Sequence, residues 1–374
     1  MTLLDAHRGL LDSLGQRGRL RRLTPITGAD FASNDYLGLA GSELVRDLAA
    51  SALSRGIAPG AGAARLLRGN HETFERLEAV AARHFASESA LYFGAGYTAN
   101  LAVFSALPQA RDLVLHDALI HASALDGMRL GAAETRAFPH NDVTGAEAAL
   151  GDWRATGGKG HVWIATESLF SMDGDCAPLA ELMALADRQN AFLIVDEAHA
   201  TGIWGAGGRG LSADIAGREN LVTLHTCGKA LGVQGALVCA AQPLIEVLVN
   251  RARGFIYSTA PSPLLAEVLC GVLSRLDADP SRREALMARV VRAGDMARSI
   301  GLVPTGTQIQ PVRIEGDAEV LTAAARLQDQ GFDIRAIRAP TVPKGEERLR
   351  LSLTLNPEED TIAAAFAALG AILT

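Results

Sequence analysis

The chain has 374 residues, a net charge of −7, 48% hydrophobic and 21% charged residues, which suits one large α/β domain with a smaller appendage, or two domains. A mildly acidic chain without a basic cluster is a poor nucleic-acid binder, and no apolar run approaches the roughly 18 residues of a membrane span. The four cysteines lack the spacing of a zinc site or a disulfide framework, and the N-terminus lacks a signal-peptide core. We therefore expect a cytoplasmic protein without metal, nucleic-acid or membrane partners.

The first half of the chain predicts alternating helices and strands. The first 23 residues predict an amphipathic surface helix, and residues 31–39 predict an extended segment that ends in a turn. From about residue 40, helical patterns alternate with short apolar runs, which indicate a mostly parallel sheet covered on both faces. The predicted strands are 89-SALYF-93, 112-DLVLHD-117, 161-HVWIATESLF-170, 191-AFLIVDEAH-199, 221-LVTLHT-226 and 235-GALVCA-240.

After residue 262 the pattern changes to that of a smaller α+β domain. A long helical region (263–300) precedes strands at 309–314, 332–337 and 348–355, with helices at 317–330 and 358–373. The last strand, RLRLSLTL, alternates polar and leucine residues, which predicts a sheet with one face in water. We predict an N-terminal helical arm (1–38), a large α/β domain (39–265) and a C-terminal α+β domain (266–374).

Lysine is rare in this chain, with three lysines against 32 arginines. Lys159 and Lys344 lie among glycines or charged residues, as solvated lysines do. Lys229 instead follows the predicted buried strand LVTLH and has small uncharged neighbours. An amine held there is partly desolvated, which lowers its pKa and makes it a better nucleophile.

Further polar residues follow other strands, at the sheet edge where α/β proteins bind ligands. The loop 94-GAGYTAN-100 matches G-x-G-x-x-A, which fits either phosphate binding at a helix N-terminus, including that of a dinucleotide, or a plain turn. Asp196 ends one strand and is either a functional or a structural carboxylate. Ser171, in 167-ESLFSMDGD-175, either caps a turn or faces the same crevice.

Together these loops suggest pyridoxal phosphate, a cofactor that needs a lysine, an acidic partner for its ring nitrogen and donors for its phosphate. Lys229 supplies the amine and Asp196 the acid. The other candidate contacts are Gly96, Tyr97 and Thr226 for the phosphate, with His121 and His199 on the two sides of the ring.

Seven ordered motifs resemble those of the α-oxoamine synthases: SNDYLG (33–38), GNHETFERLE (69–78), HASALDG (121–127), TESLFSMDGD (166–175), DEAHATG (196–202), TCGKALGVQGA (226–236) and IYSTAPSP (256–263). The resemblance covers nearly the whole chain. It implies a pyridoxal-phosphate-dependent transferase of fold type I, with a three-layer large domain, which condenses an amino acid with an acyl thioester.

The resemblance also implies roles for individual residues. Lys229 would bond covalently to the cofactor, Asp196 would pair with its ring nitrogen, His121 would stack on the ring, and His199 would bond its 3′ oxygen. The remaining implied cofactor contacts are Ser171, Thr226, Gly96 and Tyr97, with Ser258 and Thr259 reaching the phosphate of the neighbouring subunit of a homodimer. The implied substrate contacts are Arg21, Asn34 and Thr341, with Arg350 for the amino acid carboxylate and Arg338 for a distal acyl carboxylate.

Within this family, HNDV (140–143) and AIRAPTVPKGEERLRLSLT (336–354) are most similar to the member of the biotin pathway. That member joins L-alanine to a pimeloyl thioester of coenzyme A or of a carrier protein and releases CO2. A glycine-using member remains an alternative, and a nicotinamide dehydrogenase built on GAGYTA is a more distant one. Relatives usually carry serine or threonine where this chain has Ala64, and often histidine near Phe74, so the acyl substrate is less constrained than the cofactor.

Overall fold

The computed structural model describes residues 2–373 and begins with an exposed helix, α1 (Asp5–Gln16). No residue of α1 is buried, and an irregular segment follows it up to Gly28. The helix predicted over the first 23 residues is therefore too long. It ends early because Gly18 adopts a left-handed φ of 64°, where the chain leaves the helical path.

A seven-stranded sheet forms the centre of the large domain, in the order β2-β8-β7-β6-β5-β3-β4. All neighbouring strands from β7 to β4 are parallel, and β8 runs antiparallel to both β2 and β7. The mostly parallel sheet is confirmed. Its strands are β2 (Ser89–Phe93), β3 (Leu113–Asp117), β4 (Glu134–Phe138), β5 (Val162–Glu167), β6 (Phe192–Asp196), β7 (Leu221–Thr226) and β8 (Ala236–Ala240).

Helices cover both faces of this sheet. Alternate strand residues such as Trp163 and Ile194 pack on one face with α4, α5 and α8, while Ile164 and Leu193 pack on the other with α6 and α7. The strand β4 was missed by the sequence patterns, because it is a mostly exposed edge strand without an apolar run. The helices of the large domain are α2 (Glu43–Ser54), α3 (Glu72–His84), α4 (Gly96–Ala106), α5 (Ala122–Leu130), α6 (Val143–Ala155), α7 (Leu179–Gln189), α8 (Gln242–Arg251) and α9 (Arg253–Ile256).

The C-terminal part contains a three-stranded antiparallel sheet. Its strands lie in the order β11 (Arg335–Ile337), β12 (Arg348–Ser352) and β9 (Ile309–Arg313). The long predicted helical region is two helices, because Asp279 is extended and Pro280 follows it. A short strand near the N-terminus, β1 (Ala29–Asp30), pairs in parallel with β10. The elements are α10 (Pro263–Ala278), α11 (Ser281–Ser299), β9 (Ile309–Arg313), α12 (Asp317–Asp329), β10 (Phe332–Asp333), β11 (Arg335–Ile337), β12 (Arg348–Ser352) and α13 (Glu359–Leu373).

Strand β12 is buried along its whole length, so the predicted water-facing side is wrong. Its arginines instead face other parts of the protein. The fully buried Arg348 forms an ion pair with Asp173, in the loop after β5, and Nη2 of Arg348 lies 3.0 Å from Oε2 of Glu346. The polar face of β12 thus joins the C-terminal sheet to the large domain. Across residues 2–373, no helix combines the length and the apolarity needed to cross a membrane.

Candidate active site

A cavity of about 510 Å³ opens at the carboxyl ends of the parallel strands. Its floor is formed by Glu167 at the end of β5 and Asp196 at the end of β6, and Thr226 and Lys229 line it after β7. The helix N-termini after β2 and β3 add Gly96 and His121 to its wall. Parallel strands bring these residues together because their carboxyl ends meet at one edge of the sheet. Seven of the predicted cofactor residues and Asn34 line this one cavity.

Lys229 is paired with a histidine at the cavity wall. Its Nζ lies 2.7 Å from Nε2 of His199. Burial lowers the pKa of Lys229, although the carboxyl groups of Asp196 and Glu167 act in the opposite direction. Burial and the neighbouring Lys229 amine also hold the pKa of His199 well below its usual range, so this imidazole is neutral. A nucleophilic amine therefore has a neutral acceptor beside it.

The other ring nitrogen of His199 connects this pair to the C-terminal sheet. Nδ1 of His199 lies 2.7 Å from the Tyr36 hydroxyl, which donates a hydrogen bond to Asn34 at 3.0 Å. Nη2 of Arg350 donates to Oδ1 of Asn34 at 2.8 Å and to the Tyr36 hydroxyl at 3.2 Å. The Tyr36 hydroxyl and the Lys229 amine therefore lie at the two ring nitrogens of His199. Burial raises the pKa of Tyr36 to about 12, so the hydroxyl keeps its proton.

The Asp196 carboxyl group accepts two hydrogen bonds. Nδ2 of Asn100 donates to Oδ2 of Asp196 at 2.7 Å, and the backbone N–H of Ala198 donates to Oδ1 at 3.0 Å. The same Asn100 amide lies 2.9 Å from the Ser123 hydroxyl, which lies 2.7 Å from Nδ1 of His121. Sequence reasoning missed Asn100, although it is the last residue of the GAGYTAN motif, and it also missed Tyr36 in SNDYLG.

The start of α4 has the geometry of an anion site. Ala95 precedes the helix and supplies no side-chain cap, so the first backbone N–H groups are left for a ligand. A Cβ added to Gly96 would lie 2.4 Å from Cγ2 of Thr226, so only glycine permits this approach. The half-exposed Tyr97 donates a hydrogen bond to Asp126. Uncapped amides, an amine and a carboxyl group around one cavity fit the phosphate, aldehyde and ring nitrogen of pyridoxal phosphate.

Seven predicted residues do not line this cavity in the single chain, and one of them, Arg350, contacts its lining residue Asn34. Ser171 is half-buried in the loop after β5 and does not line it. Nη1 of Arg338 donates to the backbone oxygen of Gly18 at 2.6 Å. The other four are exposed: Arg21, Ser258, Thr259 and Thr341. Their roles stay predictions.

The two departures from the family pattern lie at different depths. Phe74 is fully buried in the core, with its ring 6.0 Å from that of Tyr92. Ala64 is half-buried and precedes a π-helical turn, Arg65–Gly69. Phe74 therefore contributes to packing and does not line the cavity.

Comparison with known proteins identifies the family. Residues 27–366 match the model of the aminotransferase class I and II family. The 8-amino-7-oxononanoate synthase of Anaeromyxobacter dehalogenans is 41% identical over 384 residues, which cover 99% of this chain and 95% of that protein. The chain belongs to the 8-amino-7-oxononanoate synthase family. Its predicted resemblance to the α-oxoamine synthases is thereby confirmed, and its cofactor is pyridoxal phosphate.

Solved structures agree with this assignment at the level of the fold. Serine palmitoyltransferase from Sphingomonas wittichii superposes with a TM-score of 0.88 at 24% identity, covering 100% of this chain and 98% of that one. The 8-amino-7-oxononanoate synthase from Francisella tularensis gives a TM-score of 0.76 at 25% identity, covering 92% and 98%. The chain is thus an α/β transferase of the pyridoxal-phosphate class, and the dinucleotide interpretation of GAGYTAN is wrong.

Proposed function

We propose that the chain condenses L-alanine with a pimeloyl thioester, of coenzyme A or of a carrier protein, and releases CO2 and the free thiol. The product would be 8-amino-7-oxononanoate, in biotin synthesis. The observation that carries this proposal is the pairing of the Lys229 amine with His199, in one cavity with the Asp196 carboxyl group. The name of the relatives supplies the product, and the arrangement of these side chains fits the chemistry.

The bound cofactor supplies an electron-withdrawing ring that stabilises negative charge at Cα of the amino acid. Lys229 would hold the cofactor covalently and would become a free amine when the amino acid takes its place. Its free amine then removes the proton from Cα, for which a lowered pKa is an advantage because more of the amine is neutral near neutral pH. An arginine cannot do this, since the guanidinium keeps its proton.

Asp196 would hold a proton on the ring nitrogen, since its carboxyl group is fixed in the cavity by hydrogen bonds from Asn100 and Ala198. His121, on the cavity wall, would pack against the ring. His199 places Nε2 beside the Lys229 amine, and the same nitrogen would face the 3′ oxygen once Lys229 is bonded to the cofactor. Gly96, Tyr97, Thr226 and Ser171 are the proposed phosphate and cofactor contacts.

Arg350 binds the carboxylate of the amino acid in this proposal. It is buried, it approaches the cavity through Asn34, and its Nε has no hydrogen-bond partner among the described residues. A buried guanidinium with a free N–H favours a ligand carboxylate there. Thr341, Arg21 and Arg338 are proposed for the acyl substrate, with Arg338 meeting its distal carboxylate.

We further propose a cytoplasmic homodimer with shared active sites. Ser258 and Thr259 are exposed in the single chain and so are free to reach the phosphate of a partner subunit. The N-terminal region exposes Leu10, Leu23 and Ile26, which would be covered by a second copy.

The test is the release of free thiol from pimeloyl-CoA with each amino acid as co-substrate. L-Alanine should trigger release and give 8-amino-7-oxononanoate by mass spectrometry, whereas glycine should be much slower. A preference for glycine would indicate the glycine-using alternative.

A second experiment tests the role of Arg338 in binding the acyl substrate. The same assay is repeated with dicarboxylyl-CoA substrates of different chain lengths, on the wild type and on Arg338→Ala. Failure of Arg338→Ala to change the length preference would remove Arg338 from the site.

A further inference from the structure

The cavity floor carries a second carboxyl group that the proposed mechanism does not use. Glu167 ends β5 and is the register partner of Asp196 on the parallel neighbour β6. Partners in register on adjacent strands point to the same face, with about 5 Å between the strands. Both side chains line the cavity, and they are 3% and 7% exposed. Two carboxyl groups are thus buried side by side beneath the cofactor site.

The two carboxyl groups accept hydrogen bonds from different numbers of donors. Asp196 accepts from a side-chain amide at 2.7 Å and from a backbone N–H at 3.0 Å. Glu167 is approached by the backbone N–H of His121, and no side chain within residues 2–373 donates to it. Two adjacent buried carboxylates do not both ionise, and the one with more donors keeps the charge.

We propose that Glu167 is a positioning residue that stays a neutral carboxylic acid, so that Asp196 alone carries the negative charge of the cavity floor. This inference rests on the proposed function and adds the protonation state of a residue to it. If both acids were ionised, the ring nitrogen would face two negative charges, and the Lys229 amine would be stabilised as its cation. A neutral Glu167 therefore favours the free amine that the reaction requires.

The charged groups around Glu167 support this assignment. They are Asp196 on β6, Lys229 after β7 and Asp117 on β3, and the backbone N–H of His121, just before α5, adds a hydrogen-bond donor. Burial and the Asp196 carboxylate raise the pKa of Glu167, and the Lys229 ammonium lowers it.

The first test is infrared spectroscopy of the cofactor-free protein at neutral pH, since a protonated carboxyl group absorbs apart from carboxylates. The wild type should show a protonated-carboxyl band that disappears in Glu167→Gln and stays in Glu181→Gln, a control on the exposed face of α7. Absence of that band from the wild type, or its survival in Glu167→Gln, overturns the proposal. This readout needs no substrate, so it fails or succeeds independently of the proposed condensation.

The second test is cofactor affinity, because glutamine has the shape of a neutral glutamic acid. Glu167→Gln should bind pyridoxal phosphate within about threefold of the wild type at neutral pH. In the wild type, deprotonation of Glu167 at alkaline pH should change the absorbance of the bound cofactor. This change should be missing when Glu167→Gln is titrated with base. A greater loss of affinity in a folded variant, or an unchanged alkaline titration, would mean that Glu167 works as an ion and would overturn the proposal.

Discussion

Nζ of Lys229 lies 2.7 Å from Nε2 of His199, although the two residues follow different strands of the sheet. Burial holds the pKa of both groups below their usual ranges. The histidine can therefore accept a hydrogen bond from the amine at a pH where a solvated lysine is a full cation. This pairing makes Lys229 the residue on which the proposed chemistry depends.

Replacement of Lys229 by alanine should remove the covalent cofactor. The purified variant should lose the visible absorbance of the wild type on dialysis, and turnover should fall by about 10³-fold or more, since both nucleophile and base are gone. Lys159→Ala, at an exposed loop, is the matched control and should keep both properties. Retention of turnover by Lys229→Ala would remove this residue from the mechanism.

Replacement of Asn100 by leucine should weaken cofactor binding without removing the lysine. The change takes away the amide that donates to Asp196 at 2.7 Å, and a hydrogen bond to a charged group contributes about 1.5–3 kcal/mol. We expect the dissociation constant of pyridoxal phosphate, measured by absorbance titration of the cofactor-free protein, to rise about 10- to 100-fold.

The exposed Asn250 on α8 provides a control, since Asn250→Ala changes an amide far from the cavity. Equal affinity of Asn100→Leu and wild type would show that Asp196 does not need this donor.

The strand-end residues could be predicted from the sequence, and their supporting contacts could not. Lys229, Asp196 and His199 each follow an apolar run, and parallel strands place such residues at one edge. Asn100 lies within α4, 96 positions from Asp196, and helical patterns do not say which side chain points into a cavity. In β12, the alternation of polar and leucine residues correctly indicated that they lie on opposite faces of the strand. It could not show what covers the polar face, because Arg348 is buried by a loop whose Asp173 lies 175 residues away in the sequence.

Replacement of Arg350 by methionine should raise the KM for alanine about 10- to 100-fold, because a guanidinium–carboxylate contact is lost. The long apolar side chain keeps much of the buried packing volume. Steady-state kinetics at saturating acyl thioester measures this change, and kcat should fall less than kcat/KM.

Its control comes from the adjacent strand. Arg335 is the register partner of Arg350 on β11, but it is exposed and pairs with Asp333. Arg335→Met should leave the KM for alanine unchanged. An equal effect of the two variants would indicate a general disturbance of the C-terminal sheet and not a carboxylate site.

His140 should make the stability of the protein depend on pH between neutral and alkaline values. Its Nδ1 lies 2.9 Å from Oδ1 of Asp117 and its Nε2 lies 2.8 Å from Oδ2 of Asp175. Hydrogen bonds to these two carboxylates raise the pKa of His140 from 6.5 to about 10. A pKa raised on folding gives stability that is complete below the unfolded value and is lost as pH rises through the folded one.

We therefore compare wild type and His140→Gln by urea unfolding of the cofactor-free protein from pH 6 to pH 10. The variant should be less stable by about 2 kcal/mol near pH 6, since two charged hydrogen bonds are weakened, and the difference should shrink towards pH 10. His161→Gln, at an exposed imidazole, should change the unfolding free energy by less than about 0.5 kcal/mol. A difference that stays constant or grows with pH would mean that the charge on His140 does not hold the end of β3 at Asp117 and the loop at Asp175 together.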